Sequence, residues 1–201
     1  MVFSSLSFLF LFFPVTFLLY VAVPNAKFRN ALLILASLVF YAWGEPVYIL
    51  LLLASVLLNW LLGLRLGSQD SGRKAVAAVA VIINIGLLVV FKYSGFLVET
   101  VNGLLRLSLP VPAIRLPIGI SFFTFQTLSY VIDVYRDKSS VQKSFPRLLL
   151  YISFFPQLIA GPIVKYHDIK DQLARRALSF DRCAHGMKRF LYGLGKKVLV
   201  A

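Results

Sequence analysis

Long apolar runs separated by short polar breaks constrain this chain more than any other feature. They are Phe3 to Val23, Ala31 to Trp43, Val47 to Leu66 and Ala75 to Phe91, followed by two interrupted runs, Leu116 to Tyr135 and Phe145 to Val164. A helix of about 20 residues crosses the roughly 30 Å hydrocarbon core of a bilayer. Inside that core no water satisfies the backbone, so the runs must close their own hydrogen bonds as helices. The expected fold is therefore all-α, a polytopic transmembrane helical protein. Composition agrees: 59% of the 201 residues are hydrophobic and mean hydropathy is +0.83. A soluble domain is nearer half apolar.

The first run contains Pro14. It has no positive n-region and is too long for an ordinary signal-peptide core, which favours a retained helix. Pro24 to Asn30 reads as a polar break, with Phe28 to Asn30 available to lengthen the second helix. Gly44-Glu45-Pro46 is a turn signal, and 67–74 is a loop by composition. Trp60 suits a membrane interface. Lys92-Tyr93 is expected to end the fourth helix, leaving Phe96 to Leu107 along the interface. Asn59 and Asn84 read as interhelical hydrogen-bond partners.

A net charge of +13 would suit nucleic acid, but membrane-length apolar runs interrupt the charge throughout. Topology and anionic headgroups explain it better, and nucleic acid is not an expected partner. Residues 1–135 carry 8 Lys/Arg against 4 Asp/Glu, and residues 136–201 carry 13 against 4. With the N-terminus outside, Lys27, Arg29, Arg65, Arg73, Lys74, Arg136, Lys138 and Lys143 all fall on the cytoplasmic side. A simple crossing by 145–164 would then place the basic, partly amphipathic tail outside. Pro156 lies within that segment and Gly161-Pro162 closes it. Proline removes a helical hydrogen bond and clashes with the preceding turn. Both cues predict a broken or re-entrant element near Pro156, bounded by Gly161 and Pro162, with the tail cytoplasmic.

The stretch Leu116 to Arg136 is long enough to span, yet carries a polar stripe. As a helix it sets Phe122, Gln126, Ser129, Tyr130 and Asp133 on one side and Ile120, Phe123, Val131 and Val134 on the other. A carboxylate at membrane depth should face protein, a partner or water. Gln126, Ser129, Tyr130 and Asp133 are thus tunnel-lining candidates, with packing against neighbouring helices as the plainer reading. Arg136 marks the helix edge or pairs with Asp133 or Asp137. Cys183 is the sole cysteine, so no intrachain disulfide forms. No metal-ligand spacing and no phosphate-cradling glycine loop occur.

The block Pro117-Ile118-Gly119-Ile120-Ser121-Phe122-Phe123-Thr124-Phe125-Gln126, with Tyr130, Asp133, Tyr135 and Arg136, resembles a segment of the membrane-bound O-acyltransferases. It is most like the bacterial alginate O-acetyltransferase branch. Phe154 to Ile163, Met1 to Ser5 and Gly193 to Ala201 match the same branch. The resemblance implies a many-helix shell around a thin, tunnel-pierced centre in the bacterial inner membrane. It also implies acyl transfer from a cytoplasmic thioester such as acetyl-CoA to a polysaccharide hydroxyl, with periplasmic or extracellular acetylation proteins as partners. No bound cofactor is expected. The family's catalytic histidine sits in an apolar, Trp-containing stretch without counterpart here. His167 and His185 match no family position and read as ordinary loop histidines, so no catalytic residue is assigned. The resemblance thus makes residues 1–201 the N-terminal part of a single membrane domain, ending before the catalytic region and inactive alone. A transporter or channel fragment, or a non-catalytic membrane scaffold, are the other readings that broken helices and an intramembrane carboxylate allow.

Overall fold

The structure, a computed structural model, describes residues 3, 5–68, 71–158, 164–174, 176 and 179–199. These residues form helices joined by turns, with no strand among them. The helices are α1 (Phe13–Ala22), α2 (Ala26–Gly44), α3 (Ile49–Ser68), α4 (Arg73–Leu88), α5 (Ser94–Leu105), α6 (Ile120–Arg136), α7 (Phe145–Ser153), α8 (Phe155–Leu158), α9 (Tyr166–Ala174) and α10 (Phe180–Leu199). Three uninterrupted helical stretches are long and apolar enough to cross a membrane: Ala26–Gly44, Ile49–Ser68 and Arg73–Leu105. The expected all-α membrane architecture is observed.

Boundaries depart from expectation for local reasons. Pro14 does not break the first helix. A wide π turn, Phe8–Phe12, precedes it, and the Phe13 N–H reaches back five residues to the Phe8 carbonyl. That extra residue relieves the ring's clash with the preceding turn. The polar break after α1 is only three residues long, because Asn25 caps α2 by accepting from the Lys27 N–H at 2.9 Å. Lys92-Tyr93 does not end the fourth helix either. A second π turn, Val89–Tyr93, carries it into α5, and the 33 residues 73–105 form one helical stretch. At 1.5 Å per residue this is about 50 Å long and overshoots the hydrocarbon core. No residue of α5 is buried.

Helix α6 is the hub. It packs between α3 and α4 on one flank and α7 and α9 on another. It is buried nearly all round: Ile120, Phe123, Val131 and Val134, the side expected to be merely greasy, are core. Only Phe125, Ile132 and Arg136 are exposed. Its start is four residues later than the apolar run suggests, since Gly119 takes a left-handed conformation (φ +79°) as N-cap. Two close approaches fix its neighbours. A Cβ on Gly63 of α3 would sit 2.6 Å from Cε1 of the buried Tyr130 ring, and a Cβ on Gly119 would sit 2.9 Å from the Leu158 carbonyl oxygen.

Buried polar groups bridge α3, α4 and α6. Asn59 and Asn84 exchange amide hydrogen bonds of 3.2 and 2.7 Å, as their positions suggest, and the Thr127 hydroxyl lies 2.9 Å from Asn84 Oδ1. Such bonds are worth about 0.6 to 2 kcal/mol each within a membrane. Replacing Asn84 with leucine removes the donor to Asn59 Oδ1, while Thr127 and Asn59 Nδ2 keep the Thr124 and Ser55 carbonyls, and thermal unfolding in detergent should show a loss of about 1–2 kcal/mol. Asn59→Leu together with Asn84→Leu should lose less than the sum of the two single changes.

One end of the bundle is stitched by its basic residues and the following loop. Arg73, in the first turn of α4, donates through Nη2 to the carbonyls of Val134 and Tyr135, both at 2.9 Å. These are last-turn carbonyls of α6 that lack intrahelical donors. Arg136 itself is exposed and pairs with neither Asp133 nor Asp137; the ion pair seen among the described residues is Arg115–Glu45, 3.3 Å, at the opposite end. Beyond α6, Asp137 accepts from the hydroxyl and backbone N–H of Ser139. These bonds hold its carboxyl below the usual carboxylate value. The turn's contribution is therefore present above about pH 4 and lost as pH falls through the lowered folded value. An Asp137→Asn variant should differ from the parent near neutral pH, and chemical denaturation should show the difference shrinking at strongly acid pH.

Candidate functional site: the broken element and its cleft

The segment around Pro156 is two short helices. The break is at Phe154 (ψ 113°), two residues before the proline, and Pro156 occupies the first turn of α8. A first-turn proline forfeits no helical bond, since that N–H has no partner in any case. Proline here starts a helix rather than interrupting one. Gly161 and Pro162, the expected close of the element, lie outside the described residues.

A break at membrane depth exposes backbone groups that lipid cannot satisfy. Protein satisfies them here. The Phe155 N–H donates to Ser37 Oγ on α2 at 3.1 Å, and the Tyr151 carbonyl accepts from the Gln157 amide. Ser37 is fully buried, and Ser37→Ala should leave the Phe155 N–H orphaned at about 1–3 kcal/mol. Melting of the purified protein would register that loss, whereas Ser37→Thr, which keeps the acceptor, should recover part of it.

The two limbs of the element meet at one end. Gln142, ahead of α7, donates from Nε2 to the Tyr166 hydroxyl at the start of α9, 2.8 Å away. Its backbone N–H donates to Tyr130 Oη, its carbonyl accepts from Trp60 Nε1, and its Oε1 accepts from the Ser144 N–H. The Tyr166 ring packs edge-on against Tyr130 and Tyr151 at 5.1 and 5.4 Å, and Tyr151 donates to the Val164 carbonyl at 2.7 Å. Between these fixed points α8 reaches far enough for Leu158 to meet Gly119, at the other end of α6. The chain thus enters beside the end of α6 and comes back to it. Gln142 gives no signal in the sequence; it sits in a charged, loop-like stretch that reads as solvated.

Of the four polar residues singled out on α6, three touch this element or its continuation. Ser129 lies beside the Tyr151 hydroxyl, Tyr130 accepts from Gln142, and Asp133 Oδ2 accepts from the His167 N–H at 3.4 Å. That last bond sets a carboxylate at the N-terminus of α9, where the helix dipole and unpaired N–H groups favour negative charge. Gln126 is buried, and its Oε1 has no partner among the described residues. The neighbouring Thr124 hydroxyl is buried and unpartnered likewise, and the sequence reading passed over it. If Asp133 serves α9 as a cap, Asp133→Ala should cost about 1 kcal/mol and Asp133→Asn much less. Proteolysis of the α9 segment would report the difference.

A cleft of about 420 Å³ opens on the other face of the element, between α1, α2, α7 and α9. Phe13, Phe17, Leu33, Phe154 and Leu173 give it apolar walls, and Tyr20, Gln172 and Arg176 stand at one end. None of Gln126, Ser129, Tyr130 and Asp133 lines it; they stand behind Tyr151, which does. His167 and His185 are exposed and do not line it.

Comparison with known proteins gives the geometry its context. The chain is 38% identical over its whole length to probable alginate O-acetylases AlgI of Azotobacter vinelandii and Pseudomonas aeruginosa, covering 42% and 40% of those proteins. It is 32% identical, again over its whole length, to a peptidoglycan O-acetyltransferase of Helicobacter pylori, covering 44% of it. The chain spans about two fifths of the length of the curated relatives it matches. No protein-family model and no solved structure matches it. The two sequence blocks that carry the family resemblance are in contact in the fold, through Gly119 with Leu158. Over its whole length, then, the chain is similar to about two fifths of these O-acetylases, on a helical membrane architecture, in line with the membrane-bound O-acyltransferase resemblance of its two blocks.

Proposed function

We propose that the protein carrying this chain transfers an acetyl group from a cytoplasmic acyl thioester, of which acetyl-CoA is the simplest, to a hydroxyl of an extracytoplasmic polysaccharide, alginate foremost. What supports this reading is the similarity of the chain, over its whole length, to probable alginate O-acetylases at 38% identity. In such a transfer a base takes the proton of the acceptor hydroxyl, the oxygen attacks the thioester carbonyl carbon, and the oxyanion collapses with release of the thiolate. In this reading neither His167 nor His185 is the base, which belongs to sequence that the relatives have beyond the matched two fifths. The chain alone is then inactive, and supplies the outer helices, α6 and the re-entrant element.

Gln126, Ser129, Tyr130 and Asp133 are assigned to one wall of a tunnel completed by the rest of the protein. The buried Oε1 of Gln126, unpartnered among the described residues, supports that assignment. The orientation proposed is inner-membrane, with the N-terminus outside and the basic end of the bundle, the tail included, cytoplasmic, because positive charge favours that side. Extracytoplasmic acetylation proteins would receive or present the acceptor. The test expresses the full reading frame in cells lacking their own acetylase and supplies labelled acetyl-CoA to their membranes. Labelled ester on alginate is the expected result. Ester on peptidoglycan instead would replace the acceptor, and label on neither polymer would overturn the reading.

A further inference from the structure

The polar end of the cleft carries charge that no described residue nearby neutralises. Arg176, just past α9, donates from Nη2 to Asn30 Oδ1 at 2.6 Å and from Nε to the Gln172 carbonyl at 2.7 Å, with Nη1 3.5 Å from Tyr20 Oη. Arg29, in the first turn of α2, donates through Nε to the Val23 carbonyl and lies over the Tyr20 ring at 5.3 Å. Both arginines and Tyr20 line a second, water-sized pocket of about 10 Å³ beside the cleft, and Tyr20, Gln172, Leu173 and Arg176 line both spaces. No carboxylate lines either space, and among the described residues neither arginine has an acidic partner. Two guanidinium groups are therefore held in place by neutral acceptors, with N–H groups left over for a ligand.

Depth and shape restrict what that ligand is. Tyr20 is in the last turn of α1, and Arg29 in the first turn of a membrane-length helix, so the charged end stands where hydrocarbon gives way to headgroups. From there the cleft runs inward along Phe17, Phe13 and Phe154. The outer face of α1 beside it is exposed and apolar, with Leu18 65% and Leu19 48% accessible. The volume lies in the range of about 300–1,000 Å³ that encloses ligands.

We propose that the cleft binds an anionic phospholipid from the adjoining leaflet, one tail along the phenylalanine wall and the phosphate between Arg29 and Arg176. Guanidinium suits this because its planar fork bonds two phosphate oxygens at once. A zwitterionic lipid gains less, since its own amine offsets the arginines. The site stands apart from the α6 residues and does not depend on the acetyl-transfer reading.

The test uses protein from the full reading frame, purified in mild detergent and titrated with phosphatidylglycerol or phosphatidylcholine under native mass spectrometry. Phosphatidylglycerol should bind near one per chain and outlast phosphatidylcholine. Arg29→Gln, which leaves Arg176 and its bonds in place, should weaken phosphatidylglycerol about tenfold, the loss of one charge-assisted contact. Arg65→Gln, the same charge change at an exposed position, should leave binding unaltered. Equal binding of the two lipids, equal effects of the two substitutions, or displacement of bound phosphatidylglycerol by acetyl-CoA would each overturn the proposal. So would cross-links from Phe17 and Phe154 to another part of the protein, showing the cleft filled by polypeptide.

Discussion

Replacing Gly119 with valine is expected to be the most damaging single change in the chain. Two independent costs add. The φ of +79° is open to glycine but costs an L-residue about 1–2 kcal/mol. A Cβ there would also stand 2.9 Å from the Leu158 carbonyl, a backbone atom that no rotamer change can move. Forcing such a contact apart costs about 1–3 kcal/mol more. Together these come to about 2–5 kcal/mol, whose upper end reaches the lower bound of an ordinary domain's stability of about 5–15 kcal/mol. Gly72 separates the two terms, since it has the same φ of +79° with nothing near its would-be Cβ. Gly72→Ala should lower the midpoint of thermal unfolding modestly. Gly119→Ala should lower it well beyond that, and Gly119→Val should abolish recovery of monodisperse protein. Equal effects of Gly72→Ala and Gly119→Ala would show that α8 does not press on the start of α6.

The second large effect is expected at Gly63. A Cβ at this position meets the Tyr130 ring at 2.6 and 2.8 Å from Cε1 and Cζ. Tyr130 cannot swing clear, because its ring is fully buried against Tyr166 and its hydroxyl accepts from the Gln142 N–H. Valine at Gly63 should therefore push α3 off α6 at about 3 kcal/mol, the upper part of the overpacking range. The conflict is with the hydroxyl and with the ring carbons Cε1 and Cζ, so removing the hydroxyl alone should not relieve it. Gly63→Val with Tyr130→Phe should stay as unstable as Gly63→Val, whereas Gly63→Val with Tyr130→Ala should be less destabilised than the sum of its parts. Unfolding midpoints of the four variants in one detergent would decide it. Full additivity would mean that the two helices are not in contact here.

These two glycines illustrate where reading the sequence stops. Gly119 stands in a block that the resemblance picks out, so its importance is visible; its left-handed conformation and its contact with Leu158 are not. Gly63 lies within an ordinary apolar run and carries no signal at all. Apolar runs of membrane length, in contrast, leave the backbone no option but helix, and α2 and α3 fall where the runs do to within a few residues. Lys92-Tyr93 misled because a π turn absorbed the lysine-tyrosine pair and carried the helix on.

The candidate site divides in the same way. The break near Pro156 and the amide pair Asn59–Asn84 could be read from residue type, because a proline in an apolar run and a lone asparagine in lipid each leave few choices. Which polar groups answer the break could not be read. Ser37 is 118 residues from the N–H it accepts. The arginine pair at the cleft is separated by about three quarters of the chain, and nothing in the local sequence links Arg29 with Arg176.

By itself, the sequence determined that this is a helical membrane protein, that the segment around Pro156 is broken, and which family its blocks resemble. Those follow from the cost of unpaired backbone in hydrocarbon and from local chemistry, which neighbours along the chain already express. The polar stripe of the Leu116 to Arg136 segment was legible too, but not its setting. Tertiary structure alone decided that α6 is enclosed on nearly every side, that Asp133 serves the start of α9, and that the open cleft lies beyond Tyr151, on the face α6 does not line. Each of those depends on which distant side chain completes a hydrogen bond or fills a volume, and that choice is made only when the helices pack.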